Sequence, residues 1–198
     1  MEERIKMSVF DRRGLAAIAA ALLMVIASVG TWAQETKVNA DAAAIADFNK
    51  RVEAYVALHK KVESMLQEPS QDGRPEAVVE HQREFAKLMQ KERPNAKAGD
   101  IVTKPMRNIM RRLLASVFRG PDGREIKRSI LDTFTGNPIL QVNSTYPDNV
   151  PYSTVPLQIL QGLPVLPDAL QYRFVGPRLI LLDPHGRLVV DIVEKVFP

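Results

Sequence analysis

Residues Gln171–Val193 read QYRFVGPRLILLDPHGRLVVDIV. Three β-rich runs stand in this stretch: Gln171–Val175, Arg178–Leu182 and Arg187–Val193. Gly176-Pro177 and Asp183-Pro184-His185-Gly186 separate them, and both are turn sequences. Short runs joined so tightly predict an antiparallel β-meander. The middle run, Leu179-Ile180-Leu181-Leu182, is apolar at every position and therefore on both faces, so each face needs a cover. The expected cover is the helical half of the chain, which makes the whole a single α+β unit.

Upstream of the strands, eight prolines fall between Pro138 and Pro184. That density is incompatible with long helices. Ile139–Val142 reads as a short strand, followed by proline-punctuated coil through Pro167.

Before Pro138 the apolar spacing is helical. Ile45, Phe48, Val52, Tyr55, His59, Val62 and Leu66 recur in steps of three and four from Asp41 onward, one face of an α-helix. The helix is expected to end near Glu68, ahead of Pro69. Ser70–Pro75 is turn chemistry, and a second helix follows from Pro75 to about Arg93, carrying Val78, Phe85, Leu88 and Met89. So short a loop predicts an antiparallel helical hairpin. A third helix, about Thr103–Phe118, has Pro105 in its first turn and turns Met106, Ile109, Met110, Leu113 and Val117 inward. Asp122 precedes Glu125 by three, a capping-box-like start for a fourth helix through Phe134, with Ile126, Ile130 and Phe134 buried. The prediction is thus an N-terminal hairpin or bundle of about four helices (41–136) packed on a C-terminal meander (138–198).

The N-terminus has a separate logic. Arg4, Lys6, Arg12 and Arg13 precede GLAAIAAALLMVIASV, Gly14–Val29, which carries no charge. Thr31-Trp32-Ala33 then puts small residues at the −3 and −1 positions of a cleavage site. These are the parts of a secretory signal over residues 1–33. The competing reading is a retained anchor, since the uncharged stretch reaches Gln34 and about 20 apolar residues span a bilayer. On either reading segment 14–34 enters the membrane at least transiently. Residues 34–198 are then exported, periplasmic or extracellular, or else held outside the inner membrane.

Composition fits an exported globular body. Of 198 residues 45% are hydrophobic and 25% charged, with 27 Lys+Arg against 23 Asp+Glu. There is no cysteine, which excludes disulfides, zinc–thiolate sites, iron–sulfur clusters, cysteine nucleophiles and a lipoprotein N-terminus.

The segments Leu163-Pro164-Val165-Leu166-Pro167, Leu170–Gly176, Leu179–Asp183 and Leu188–Asp191 resemble the C-terminal signature of a family of small exported bacterial proteins. The likeness extends weakly back to about Phe48. The family has no assigned activity, so the resemblance implies no catalytic residues. Where its members carry a small residue and Asn before the last strand, this chain has Gly186-Arg187, a departure that bears on the hairpin turn.

Two constellations offer chemistry. His59 and His81 lie on or beside apolar stripes, with Glu63 and Glu84 one turn or less further on. Across an antiparallel hairpin the two levels can meet, and two His with two Glu can hold a metal or small ligand. The alternative is a hydrogen-bonded core or boundary histidine on each helix. A di-iron motif is excluded, because Val56 and Val78 stand where Glu would be needed. The second constellation is basic: Lys104, Arg107, Arg111, Arg112, Arg119, Arg124, Lys127 and Arg128 against Asp122 and Glu125. Such a face attracts an anionic envelope component or another exported protein, or simply keeps the helices solvated. No aromatic residues interleave it, so nucleic acid is not an expected partner.

His185 reads as an exposed turn residue at a hairpin tip, and Asp183 and Asp191, which could pass for paired carboxylates, as strand-end turn caps. Asn143-Ser144-Thr145 matches a glycosylation acceptor, relevant only to a eukaryotic secretory route. No nucleophile elbow, glycine-rich phosphate loop or HExxH occurs. The expectation is a non-enzymatic binding module with a basic helical face and no resident cofactor. A metal- or ligand-binding domain on His59 and His81 is the alternative, and a hydrolase comes third.

Overall fold

The computed structural model describes residues 39–67, 74–132, 134, 136 and 138–197. The chain divides into units 1–40 and 41–198, and the elements below belong to the second, α1 opening at the junction. The basic and apolar N-terminal segment and the turn at Ser70–Gly73 lie outside the described residues. Among the described residues, no helix is long and apolar enough to cross a membrane.

Helices come first in the chain and strands last. The helices are α1 (Ala40–Glu63), α2 (Pro75–Glu92), α3 (Lys104–Arg119), α4 (Gly123–Leu131) and the single turn α5 (Leu157–Leu160). The strands are β1 (Gln171–Val175), β2 (Arg178–Asp183) and β3 (Leu188–Val193), an antiparallel sheet in the order β1-β2-β3. Helix α5 corrects the expectation of unbroken coil through Pro167. Pro156 supplies its N-cap, and Ile159 anchors it in the core.

Helical spacing does what it predicts in α1, where Ala44, Phe48, Val52, Tyr55, His59 and Val62 are buried. The helix ends at Glu63 rather than Glu68. Its last turn tightens, with Met65 N–H donating to Val62 and Leu66 N–H to Glu63, three residues back. In α3 the buried line is Met106, Met110, Leu114 and Phe118, while Leu113 and Val117 flank it. Helix α4 starts without a side-chain cap from Asp122, so the expected capping box does not form. It also stops at Leu131. Phe134 leaves the helix to pack on the sheet, its ring so close to Gly176 that a Cβ there would stand 2.6 Å away.

The sheet is covered on both sides, but by different material. Tyr172, Phe174, Leu179, Leu181, Leu188, Val190 and Val193 face the helices in one core with Phe48, Val52, Phe85, Met89, Met110 and Leu114. The opposite face, with Val175, Ile180, Leu182, Val189 and Ile192, is closed by Phe134, Leu140, Val142, Tyr146 and Val150. The helical half therefore covers one face only, and the proline-rich segment is the second cover. It makes no strand over Ile139–Val142. Instead Asn143 N–H donates to the Val189 carbonyl, Val189 N–H to Ser144 and Tyr146 N–H to Arg187, occupying the outer edge of β3. Pairing at an edge in this irregular way blunts it against association.

Between β2 and β3 the register passes from Leu181↔Asp191 to Leu182↔Val189, skipping Val190. This bulge puts Val190 and Asp191 on the same side, toward the helices. At the turn itself Arg187 holds φ 51°. A left-handed conformation costs an L-residue roughly 1–2 kcal/mol, and Asn tolerates it better. Arg187→Asn is therefore expected to gain about 0.5–1 kcal/mol, net of the exposed ion pair Arg187 makes with Asp148. The check is a melting temperature raised by about 2–4 °C.

Candidate metal centre

All three histidines of the chain stand in one cluster where α1, α2 and the β2–β3 turn meet. Helix α1 supplies His59 and Glu63, one turn apart on adjoining positions of the same face. Their ring and carboxylate approach to 3.9 Å, from His59 Nε2 to Glu63 Oε2. The turn supplies His185, whose Nδ1 stands 3.8 Å from Glu63 Oε1. Helix α2 supplies His81, whose Nε2 is 3.2 Å from Nε2 of His185. Phe85 is the apolar wall, its ring 4.7 Å from His59 and 4.4 Å from His185 between centroids.

Below this cluster lies Asp183, the wholly buried last residue of β2. Its Oδ2 accepts the Tyr55 hydroxyl and meets His59 Nδ1, each at 2.7 Å. Its Oδ1 accepts the backbone N–H of His185 at 2.9 Å and that of Gly186. Gly186 is required because a Cβ there would meet the Phe85 ring at 2.6 Å. Asp183 thus fixes both the turn that carries His185 and the ring of His59. With Nδ1 donating to the Asp183 carboxylate, Nε2 is the His59 nitrogen that faces Glu63.

The two imidazoles are tuned in opposite directions. Burial lowers the pKa of His59, but the hydrogen bond and charge of Asp183, helped by Glu63, outweigh it and raise it. His185 is lowered, chiefly by burial, with Glu63 opposing and His59 adding to the fall. Tyr55 is pushed well above its ordinary value by burial and then by the Asp183 charge, so its hydroxyl remains a donor.

His59, Glu63 and His185 can each turn one ligand atom to a common point, all lying within 4.8 Å of one another. Donor atoms on a tetrahedral ion with bonds near 2.0–2.1 Å stand roughly 3.3 Å apart, so closing the set takes side-chain shifts of up to about 1.5 Å, available to the half-exposed Glu63 and to His185 on its turn. The remaining nitrogen of each histidine is engaged: Nδ1 of His59 by Asp183, and Nε2 of His185 by His81. Outer partners of this kind fix tautomer and ring orientation in metal sites.

The sequence-derived set changes accordingly. His59 and Glu63 stay in it. His81 is present but meets His59 only through His185, as its hydrogen-bonded neighbour. Glu84 is exposed on α2 and lies outside the ligand group. His185, read from sequence as a turn residue, stands in the group with His59 and Glu63. Asp183 does cap its turn, and it is also the buried anchor of the centre. Helix spacing could not find His185; the signal available was that the chain has only three histidines, the third beside an aspartate ending an apolar strand.

The basic residues divide. Arg111 donates to the Glu194 carbonyl, Arg112 pairs with Asp41, Lys127 lies over the Phe197 ring, and Arg107 packs against Gly99. Lys104, Arg119, Arg124 and Arg128 are exposed.

Two hollows flank the histidines. One of about 740 Å³ is lined by Lys60, Glu63, Leu66, Val78, Gln82 and His185, among others. The other, about 450 Å³, shares Lys60, Glu63 and His185 and adds Asp168. Comparison with protein-family models, curated proteins and solved structures finds no match.

Proposed function

We propose that this is an exported metal-binding protein that holds a zinc-class divalent ion on His59 Nε2, a Glu63 oxygen and His185 Nδ1. One observation carries the reading: both ligand histidines present a nitrogen to the same carboxylate while a partner holds their other nitrogen. Two imidazoles and one carboxylate form a donor set suited to zinc, with three protein ligands and a fourth position left over. Export is supported by the signal-like N-terminal segment. The basic face becomes secondary, since four of its eight side chains are engaged within the fold.

The test is a titration of the chelator-stripped, purified full chain with Zn²⁺. One equivalent is expected. Glu63→Gln, at a half-exposed side chain, is expected to weaken binding at least about tenfold while leaving the fold intact, and His185→Ala to weaken it further. A chain that takes up well under one equivalent, or a Glu63→Gln variant that binds as tightly as the parent, removes the centre.

A further inference from the structure

This inference rests on the metal centre above and concerns what completes it. Three protein ligands occupy three corners of a tetrahedron, and a fourth corner is characteristic of sites that exchange ligands. The buried side is taken by Asp183, Tyr55 and Phe85. The exposed side opens on the two hollows, of which Glu63 and His185 form the common wall.

The hollows differ in chemistry. The smaller carries a second carboxylate, Asp168. Among the described residues the larger has no carboxylate besides Glu63; its cation is Lys60, its amide Gln82, and Leu66 with the half-exposed Val78 supplies apolar surface. A divalent ion bearing one Glu ligand keeps a net positive charge, to which Lys60 adds. An anionic oxygen donor is favoured there, and the Leu66–Val78 surface favours an apolar group behind it. The volume is that of a small-molecule site.

We infer that the centre binds, as exchangeable fourth ligand, the carboxylate of a small acid with an apolar tail seated in the larger hollow. One carboxylate oxygen reaches the ion, Lys60 faces the other, and the tail lies against Leu66 and Val78.

Cobalt makes the fourth position visible, because Co²⁺ in place of Zn²⁺ has a visible spectrum sensitive to its ligands. The Co²⁺-loaded full chain is titrated with acetate, hexanoate and inorganic phosphate. Hexanoate is expected to change the spectrum saturably and to bind at least about tenfold more tightly than acetate. Val78→Ser and Lys60→Gln, both at solvent-facing positions, are each expected to weaken hexanoate severalfold while the chain still takes up one equivalent of cobalt. Cobalt that binds while hexanoate leaves its spectrum unmoved overturns the inference and leaves the metal centre standing. Phosphate matching hexanoate, or acetate binding as tightly, overturns the apolar-tailed acid. Failure to take up cobalt removes the centre, and the inference with it.

Discussion

Asp183→Ala costs about 3–5 kcal/mol of folding stability, a large share of the roughly 5–15 kcal/mol that holds a domain. The carboxylate is fully buried and accepts from the Tyr55 hydroxyl, the His59 ring and two backbone N–H groups of the turn. Alanine leaves a phenol, an imidazole and two amides facing a small void, each desolvated and unpaired. The effect is read as a lower urea midpoint at unchanged slope. Asp183→Asn separates the two roles of the residue. It keeps the volume and one acceptor, so the fold survives, but it no longer holds the His59 tautomer by charge. Zinc affinity is then expected to fall about 10–100-fold, as for other outer partners of metal-bound histidine. An Ala variant losing less than about 1 kcal/mol, with the His185 turn unmoved, contradicts this anchoring.

The elements themselves were largely legible in the sequence. Apolar steps of three and four gave α1–α3, because a helix that buries one face must repeat near 3.6. Gly176-Pro177 and Asp183–Gly186 marked the ends of the β runs, because each turn needs residues that tolerate its backbone. The cover of the second sheet face was not legible. Phe134, Val142, Tyr146 and Val150 show no period, and only the tertiary arrangement brings them over Ile180 and Val189. The centre was half legible for a similar reason: His59 and Glu63 share a helix face that spacing reveals. His185 arrives from 122 residues further along the chain, on a turn whose place is set by strand register and by Asp183. Register is fixed by pairing, which a single sequence does not display.

Both buried aspartates point from the sheet toward the helices, and both hold backbone that no regular element pairs. Asp183 does this at the turn. Asp191 does it for the loop between α2 and α3, and it can reach that loop because the bulge at Val190 turns it to the helical side. Strict alternation from Val189 would have put it on the face of Ile180, Leu182 and Ile192, turned away from the loop it holds. The reading of Asp191 as a strand-end turn cap is thus replaced by a more specific role, the acceptor that seats a loop on the core.

That role sets the size of the second large effect. Asp191 is wholly buried and accepts the N–H groups of Gly99 at 2.8 Å, Ile101 at 2.9 Å, Val102 at 2.8 Å and its neighbour Ile192 at 2.7 Å. Asp191→Ala orphans four donors at about 1–3 kcal/mol each if the loop stays in place. The loop can instead lift into water, which caps the loss but frees Ile101 and Val102 from the core. The expected cost is about 3–5 kcal/mol. Asn is no rescue, since its amide sets two donors against a site made of donors. Hydrogen exchange tells this lesion from a general loosening: amides 99, 101 and 102 should lose protection first, while the β1–β2 ladder keeps it until global unfolding. An Asp191→Ala protein in which those three amides exchange as slowly as in the parent would mean that the loop is seated by Ile101 and Val102 alone.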